Sequence, residues 1–183
     1  APDYSPSAIH ADYHLPVKIG TDVALGLAMC KVIIDAGLYN KKFVQEQTDL
    51  SLLVRKGTKR FLRGSDVLEG EREDQFYWAD ERSGEIVPAP RGTLAMGNVI
   101  PALEGTFIAR LADGSDVEVT PVFELLKERL KRFTPERAAR VCGIHADAIR
   151  MLARKVATRK TKIFCGWNSG KYYHGDLIER TMA

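Results

Sequence analysis

The sequence predicts an α/β protein, a piece of a doubly wound sheet with a small β-rich insertion. Three observations predict it. Apolar residues recur at helical spacings over residues 21–36 and again from 121 to 158. A short apolar run, KIFCGWN (residues 162–168), ends in a glycine-bearing loop and leads into a new helical pattern. That order of helix, strand, loop and helix belongs to open α/β sheets. Between the helical regions, residues 64–120 alternate with period two around turn residues.

Each element follows in order. Pro2, Pro6 and Pro16 forbid a continuous helix over residues 1–19, and Leu15–Val17 reads as a short strand. Thr21–Ala36 reads as a helix whose apolar stripe is Val23, Leu27, Cys30 and Ile34, widened by Ala24, Leu25, Ala28 and Met29. Gly37 suits the position just past its end, and Lys41–Gln47 forms a shorter second helix. LSLLVRK and RFLR read as short strands or turns. QFYWAD and GEIVP pair as a hairpin about Glu81–Gly84, and TFIARLADGSDVEVTPV folds back across Asp113–Gly114, a strong hairpin signal. In VFELLKERLKRF, Val122, Leu125, Leu126 and Leu130 share one face. Thr134–Pro135–Glu136 supplies an N-cap, a first-turn proline and an early acid, and the helix stops at Gly143. ADAIRMLARKVATR turns Ala148, Ile149, Leu152, Ala153 and Val156 inward. KIFCGWN is a buried parallel strand, and YYHGDLIERTMA starts a further helix. This gives three segments: 1–63 and 121–183 as α/β, with 64–120 as the hairpin insertion.

The totals exclude some classes. A formal charge of +3 over 183 residues, with no dense basic patch, argues against nucleic acid as a partner. RKVATRKTK (residues 154–162) is the polar face and C-terminal turn of a helix, where cations suit the dipole. No apolar run approaches the ~20 residues that span a bilayer. Cys30, Cys142 and Cys165 are far apart and lack CxxC or Cys/His spacing, so they read as small buried thiols and not as metal ligands. The opening APDYSPSA resembles the exit of a strand, and DLIERTMA stops inside a helical pattern. A fragment of a larger subunit is expected.

Two places have the geometry of a ligand site, since open α/β sheets bind beyond strand ends and at helix N-termini. In the first, Asp3 would follow a strand end and could take a ribose hydroxyl. Gly20 permits close backbone approach, Thr21 can cap, and Asp22 offers acceptors suited to a guanine N1–H and N2–H₂ edge. The plainer reading is that Thr-Asp only caps the helix, worth about 1 kcal/mol without any ligand. In the second, Gly166, Gly170 and Gly175 bracket a polar, aromatic tip with Trp167, Asn168, Lys171 and His174. Its glycines match no Walker or Rossmann fingerprint, and a lone histidine is more often a satisfied polar residue.

On these residues a family resemblance rests. IGTDVALGLAMCKVIIDAGLYNKKFVQEQTDL, TPERAARVCGIHADAIRMLARK and KIFCGWNSGKYYHGDLIER resemble the pterin-dinucleotide-binding segments of the molybdopterin oxidoreductases of the DMSO reductase family. EQTDLSLLVR, RFLRGSD and KYYHGDLIER are similar to the catalytic α subunits of its type II branch. The resemblance is weakest over residues 64–120. It implies a bis-molybdopterin guanine dinucleotide cofactor, with Asp3, Gly20, Thr21 and Asp22 at the nucleotide and Gly166, Trp167, Asn168 and His174 reaching it from the second loop. It implies no molybdenum ligand here, because that side chain and the iron–sulfur cysteines belong upstream. It also implies an iron–sulfur β subunit, a haem-bearing γ subunit and a periplasmic setting, with the cytoplasmic face of the membrane as the other option.

Nitrate/nitrite oxidoreduction is the first expectation within the branch, being its commonest chemistry. Anaerobic hydrocarbon hydroxylation of the ethylbenzene dehydrogenase kind follows, then selenate, chlorate or perchlorate reduction. A rival of another class is a non-catalytic nucleotide-binding module, in which the turn is a cap and the KYYHGD loop an interface.

Overall fold

The structure is a computed structural model, and it describes Tyr4 and residues 6–163. In chain order the elements are helix α1 (Asp22–Asp35), α2 (Lys41–Gln47), strand β1 (Leu53–Arg55), α3 (Gly64–Val67), β2 (Tyr77–Ala79), β3 (Ile86–Pro88), β4 (Phe107–Arg110), β5 (Asp116–Pro121), α4 (Val122–Leu130), α5 (Pro135–Cys142) and α6 (Ala146–Thr158). Short 3₁₀ turns occupy Pro6–His10 and Asp49–Ser51. The chain divides into two units, one built from the described residues up to Tyr39 and from Arg129 onward, the other from Asn40–Glu128.

The first unit is helical. Helices α1, α5 and α6 pack on one another around Leu25, Ala28, Met29, Ala138, Cys142, Ile149 and Ala153. Burying side chains such as Leu25 and Met29 contributes roughly 1.5–3 kcal/mol each, and this packing holds three short helices that would be marginal alone. Helix α1 ends in paired bonds from the Gly37 N–H to the Ile34 carbonyl and from the Leu38 N–H to the Ile33 carbonyl. They satisfy carbonyls the helix leaves open. In α5 the Thr134 hydroxyl accepts the Arg137 N–H at 3.2 Å, with Pro135 in the first turn and Gly143 at the C-cap. All three were legible as local signals.

Two expectations are corrected here. Leu15–Val17 pairs with no strand among the described residues; its Val17 side chain lies in the helical core and the next residue bonds to the end of α5. The innermost stripe of α1 is Leu25, Ala28 and Met29, with Val32 and Ile33 packed against it, and not Val23, Leu27, Cys30 and Ile34. The helix is apolar around most of its circumference, so periodicity alone does not choose the face that meets α5 and α6.

The second unit holds two small antiparallel sheets, ordered β1-β5-β4 and β2-β3. Both expected hairpins form, with Trp78 opposite Val87 in the first and Ile108 opposite Glu118 in the second. Leu53, Leu62, Tyr77, Ala79, Ala102, Ala109 and Val119 make its core. Two buried polar side chains there are matched, the Gln45 amide donating to the Pro101 carbonyl at 2.6 Å and the Thr120 hydroxyl to the Gly105 carbonyl at 2.7 Å, whereas the Trp78 indole N–H and Arg55 Nε find no partner among the described residues. In α4 the most buried residues are Phe123 and Leu130, whereas Val122, Leu125 and Leu126 are half-buried. The expected stripe omitted Phe123, whose ring carries more apolar area than any residue it chose. The fold class is α/β; the parallel strand expected at residues 162–168 extends beyond the described residues.

Candidate cofactor-binding turn

The segment entering α1 is fixed from both sides. The Lys18 N–H donates to the carbonyl of Cys142, the last residue of α5, at 3.0 Å. The Lys18 stem lies over Gly143, where a Cβ would come within 3.3 Å of the lysine Cε. The chain then reverses through Ile19 and Gly20, and the Thr21 N–H closes the turn on the Lys18 carbonyl at 3.1 Å. Gly20 takes φ +77, a left-handed value that costs an L-residue roughly 1–2 kcal/mol. A Cβ there would meet nothing within 4 Å, so the backbone at Gly20 faces open space.

Thr21 occupies the N-cap position but does not cap. Its φ of −117° and ψ of 11° lie outside the extended region that N-caps adopt, and among the described residues no side chain bonds the first-turn amides of α1, although the Thr21 carbonyl takes the Ala24 N–H at 3.0 Å. The hydroxyl instead donates backwards to the Lys18 carbonyl at 2.6 Å. Asp22, the first residue of the helix, is half-buried and makes no hydrogen bond or ion pair among the described residues. Ile19 is 86% exposed beside it. The turn therefore presents uncapped helix amides, a bare glycine backbone, an uncommitted carboxylate and an apolar side chain on one stretch of chain. Amides at a helix start receive anions such as pyrophosphate, a carboxylate receives N–H donors, and an aliphatic side chain suits the face of a base.

Gly20, Thr21 and Asp22 are thus brought together. Asp3, Gly166, Trp167, Asn168 and His174 lie outside the described residues. Ile19 was not singled out from the sequence; an apolar residue directly before a turn glycine was the available signal. Of the three cysteines, Cys142 is fully buried and Cys30 half-buried, where desolvation pushes its thiol up; Cys165 lies outside the described residues.

No family model matches the chain. It is similar over its whole length to the α subunit of a perchlorate reductase from Dechloromonas aromatica, at 41% identity, covering 22% of that protein. It is 38% identical to the α subunit of a dimethylsulfide dehydrogenase from Rhodovulum sulfidophilum over 96% of the chain and 20% of the relative. With the α subunit of a chlorate reductase from Ideonella dechloratans it shares 37% over 94% of the chain and 19% of the relative. The chain spans about a fifth of the length of these curated relatives. The chain matches such α subunits almost end to end. The chain belongs to the catalytic α subunits of the DMSO reductase family.

Proposed function

We propose that the chain forms the nucleotide-clasping part of a molybdenum oxidoreductase, with Gly20, Thr21 and Asp22 against the guanine dinucleotide portion of a bis-molybdopterin cofactor. One observation carries this reading: among the described residues the turn leaves the Asp22 and Val23 amides and the Asp22 carboxylate uncommitted, only the Ala24 N–H being taken, by the Thr21 carbonyl at 3.0 Å. In this reading Asp3 takes a ribose hydroxyl, and Gly166, Trp167, Asn168 and His174 approach from the second loop. Segments 1–63 and 121–183 supply the cofactor-facing elements, and 64–120 decorates them. When bound, the cofactor supplies two-electron redox with oxygen-atom transfer or hydroxylation at the metal. The chain's own residues bind and orient it, with Asp22 selecting guanine over adenine.

For the substrate we propose a small oxyanion. Nitrate or nitrite is the expectation from the branch. Identities of 41% and 37% to subunits named for perchlorate and chlorate, against 33% to one named respiratory nitrate reductase from Haloferax mediterranei, favour a chlorine oxyanion over it. The dimethylsulfide dehydrogenase relative supports a second reading, in which the reaction runs as an oxidation. Hydrocarbon hydroxylation has no comparable support among these names. An iron–sulfur β subunit, a haem-bearing γ subunit, an iron–sulfur cluster bound upstream and a periplasmic setting complete the proposal. Among the described residues no helix is long and apolar enough to cross a membrane.

The test uses the native full-length subunit. Molybdenum and acid-released guanine nucleotide are measured on one sample, expecting about one metal and about two nucleotides per chain. Oxidation of a reduced dye by perchlorate, chlorate or nitrate, and dye reduction by dimethylsulfide, then ranks the substrates. A folded subunit from a cofactor-competent host with neither metal nor nucleotide would return the turn to a structural role.

A further inference from the structure

A second site of a different kind lies in the unit Asn40–Glu128. Strand β1 runs into the loop Lys56–Arg60, and Val54 then bridges back to Phe61. The loop is tight: the Lys59 N–H reaches the Arg55 carbonyl at 2.7 Å, and the Arg55 N–H reaches the Arg60 carbonyl at 2.8 Å. Lys59 takes φ +56, the only positive φ at a non-glycine among the described residues. A lysine held there costs roughly 1–2 kcal/mol that Gly or Asn would largely avoid.

Beside this loop is a cleft of about 540 Å³. Arg55, Lys59, Arg60 and Arg63 line it, against the carboxylates Asp66 and Glu73. Internal partners do not neutralise the four cations. Asp66 takes Arg55 Nη1 at 3.2 Å on one oxygen and the Arg63 backbone N–H at 3.0 Å on the other. The Arg63 guanidinium donates to the Glu73 carbonyl at 3.3 Å and stacks over the Phe76 ring at 5.5 Å. Lys59 and Arg60 make no ion pair among the described residues. Arg55 Nε is buried with no hydrogen-bond partner among the described residues. An orphaned buried donor on a charged group is expensive, and it leaves the Arg55 charge balanced by the single Asp66 contact. A merely solvated basic loop does not need a lysine held at positive φ.

We propose that this cleft binds a small oxyanion, whose oxygens accept from Arg55 and from the Lys59, Arg60 and Arg63 cations. The planar, forked guanidinium matches two oxygens of one anion, which a monatomic halide does not offer. The site shares no residue with the turn at residues 18–22, and its occupancy does not depend on turnover.

The test is calorimetric titration of the full-length subunit with inorganic phosphate at constant ionic strength, chloride serving as the control anion. Two variants are compared: K59Q/R60Q, which changes exposed side chains and leaves the core intact, and R55K, which removes the fork. The wild type binds phosphate saturably and chloride does not compete. K59Q/R60Q weakens phosphate by roughly tenfold or more, and R55K by a similar factor, with molybdenum content unchanged. Absence of saturable phosphate binding by the wild type overturns the proposal, as does wild-type affinity in K59Q/R60Q.

Discussion

Replacing Asp22 by alanine separates a helix cap from a cofactor clasp, because the two roles differ in size. In the fold the carboxylate touches no partner among the described residues, so its structural contribution is the favourable charge at the start of α1. That is worth about 0.3–1 kcal/mol, and the better helix propensity of alanine returns part of it. The net cost to stability is below about 1 kcal/mol, a shift of a few degrees in melting temperature at most. In the clasp the same carboxylate accepts two N–H donors from a guanine edge. Charge-assisted bonds of this kind are worth roughly 1.5–3 kcal/mol each, so losing the pair weakens the cofactor by about 3 kcal/mol or more, some hundredfold. The assay is molybdenum and guanine nucleotide per chain in the purified full-length D22A subunit, with its melting curve recorded beside it. Low cofactor content with near-normal melting supports the clasp. Wild-type cofactor content would refute the reasoning and leave Asp22 as a first-turn acid.

Other expectations follow from the packing. Gly64→Ala would place a Cβ 2.4 Å from the Arg72 carbonyl oxygen, a backbone atom that cannot step aside, so a loss of about 3 kcal/mol or more is expected in chemical denaturation. Phe123→Ala removes a ring that is 1% exposed and should cost about 3–5 kcal/mol, read as a lower denaturation midpoint. Desolvation holds the Cys30 thiol above its ordinary pKa, so the folded state keeps its proton more tightly than the unfolded state does. The corresponding stability is present below the unfolded thiol's pKa and is lost as pH rises through the folded one. Cys30→Ala should therefore flatten the alkaline fall in stability above about pH 8.5, and an unchanged profile would count against it.

What the sequence made legible was local. Thr134–Pro135–Glu136 before α5, Gly143 after it and Asp113–Gly114 between two strands each settle their conformation within a few residues. Both hairpins were visible for the same reason. The errors lie where a choice depends on distant partners. The face of α1 is decided by α5 and α6, more than a hundred residues on, and a helix apolar on most sides gives no local hint. Phe123 was passed over because its burial is set by the folded unit and not by the spacing within α4. The basic cleft was missed because Arg55, Lys59, Arg60 and Arg63 sit in a stretch read only as strands or turns. Their common orientation arises when Val54 bridges Phe61 and α3 brings Asp66 back to Arg55.

The turn at residues 18–22 joins the local and distant kinds of information. Its glycine and its Thr-Asp pair were readable at once, and the cap was the plainer reading of them. What the fold adds is a dihedral angle and one proton. With ψ near zero at Thr21, the hydroxyl cannot reach the first-turn amides, and its proton goes to the Lys18 carbonyl instead. That carbonyl is held in place because the Lys18 N–H is tied to Cys142 at the end of α5. The helix core thus determines that α1 begins uncapped, and an uncapped start costs stability unless something else occupies the amides. Restoring a cap should then compete with the ligand. Thr21→Asp, whose longer reach and charge allow it to accept a first-turn N–H, is expected to raise the melting temperature of cofactor-depleted protein while lowering cofactor content. An increase in both would mean that the turn and the cofactor do not share those amides.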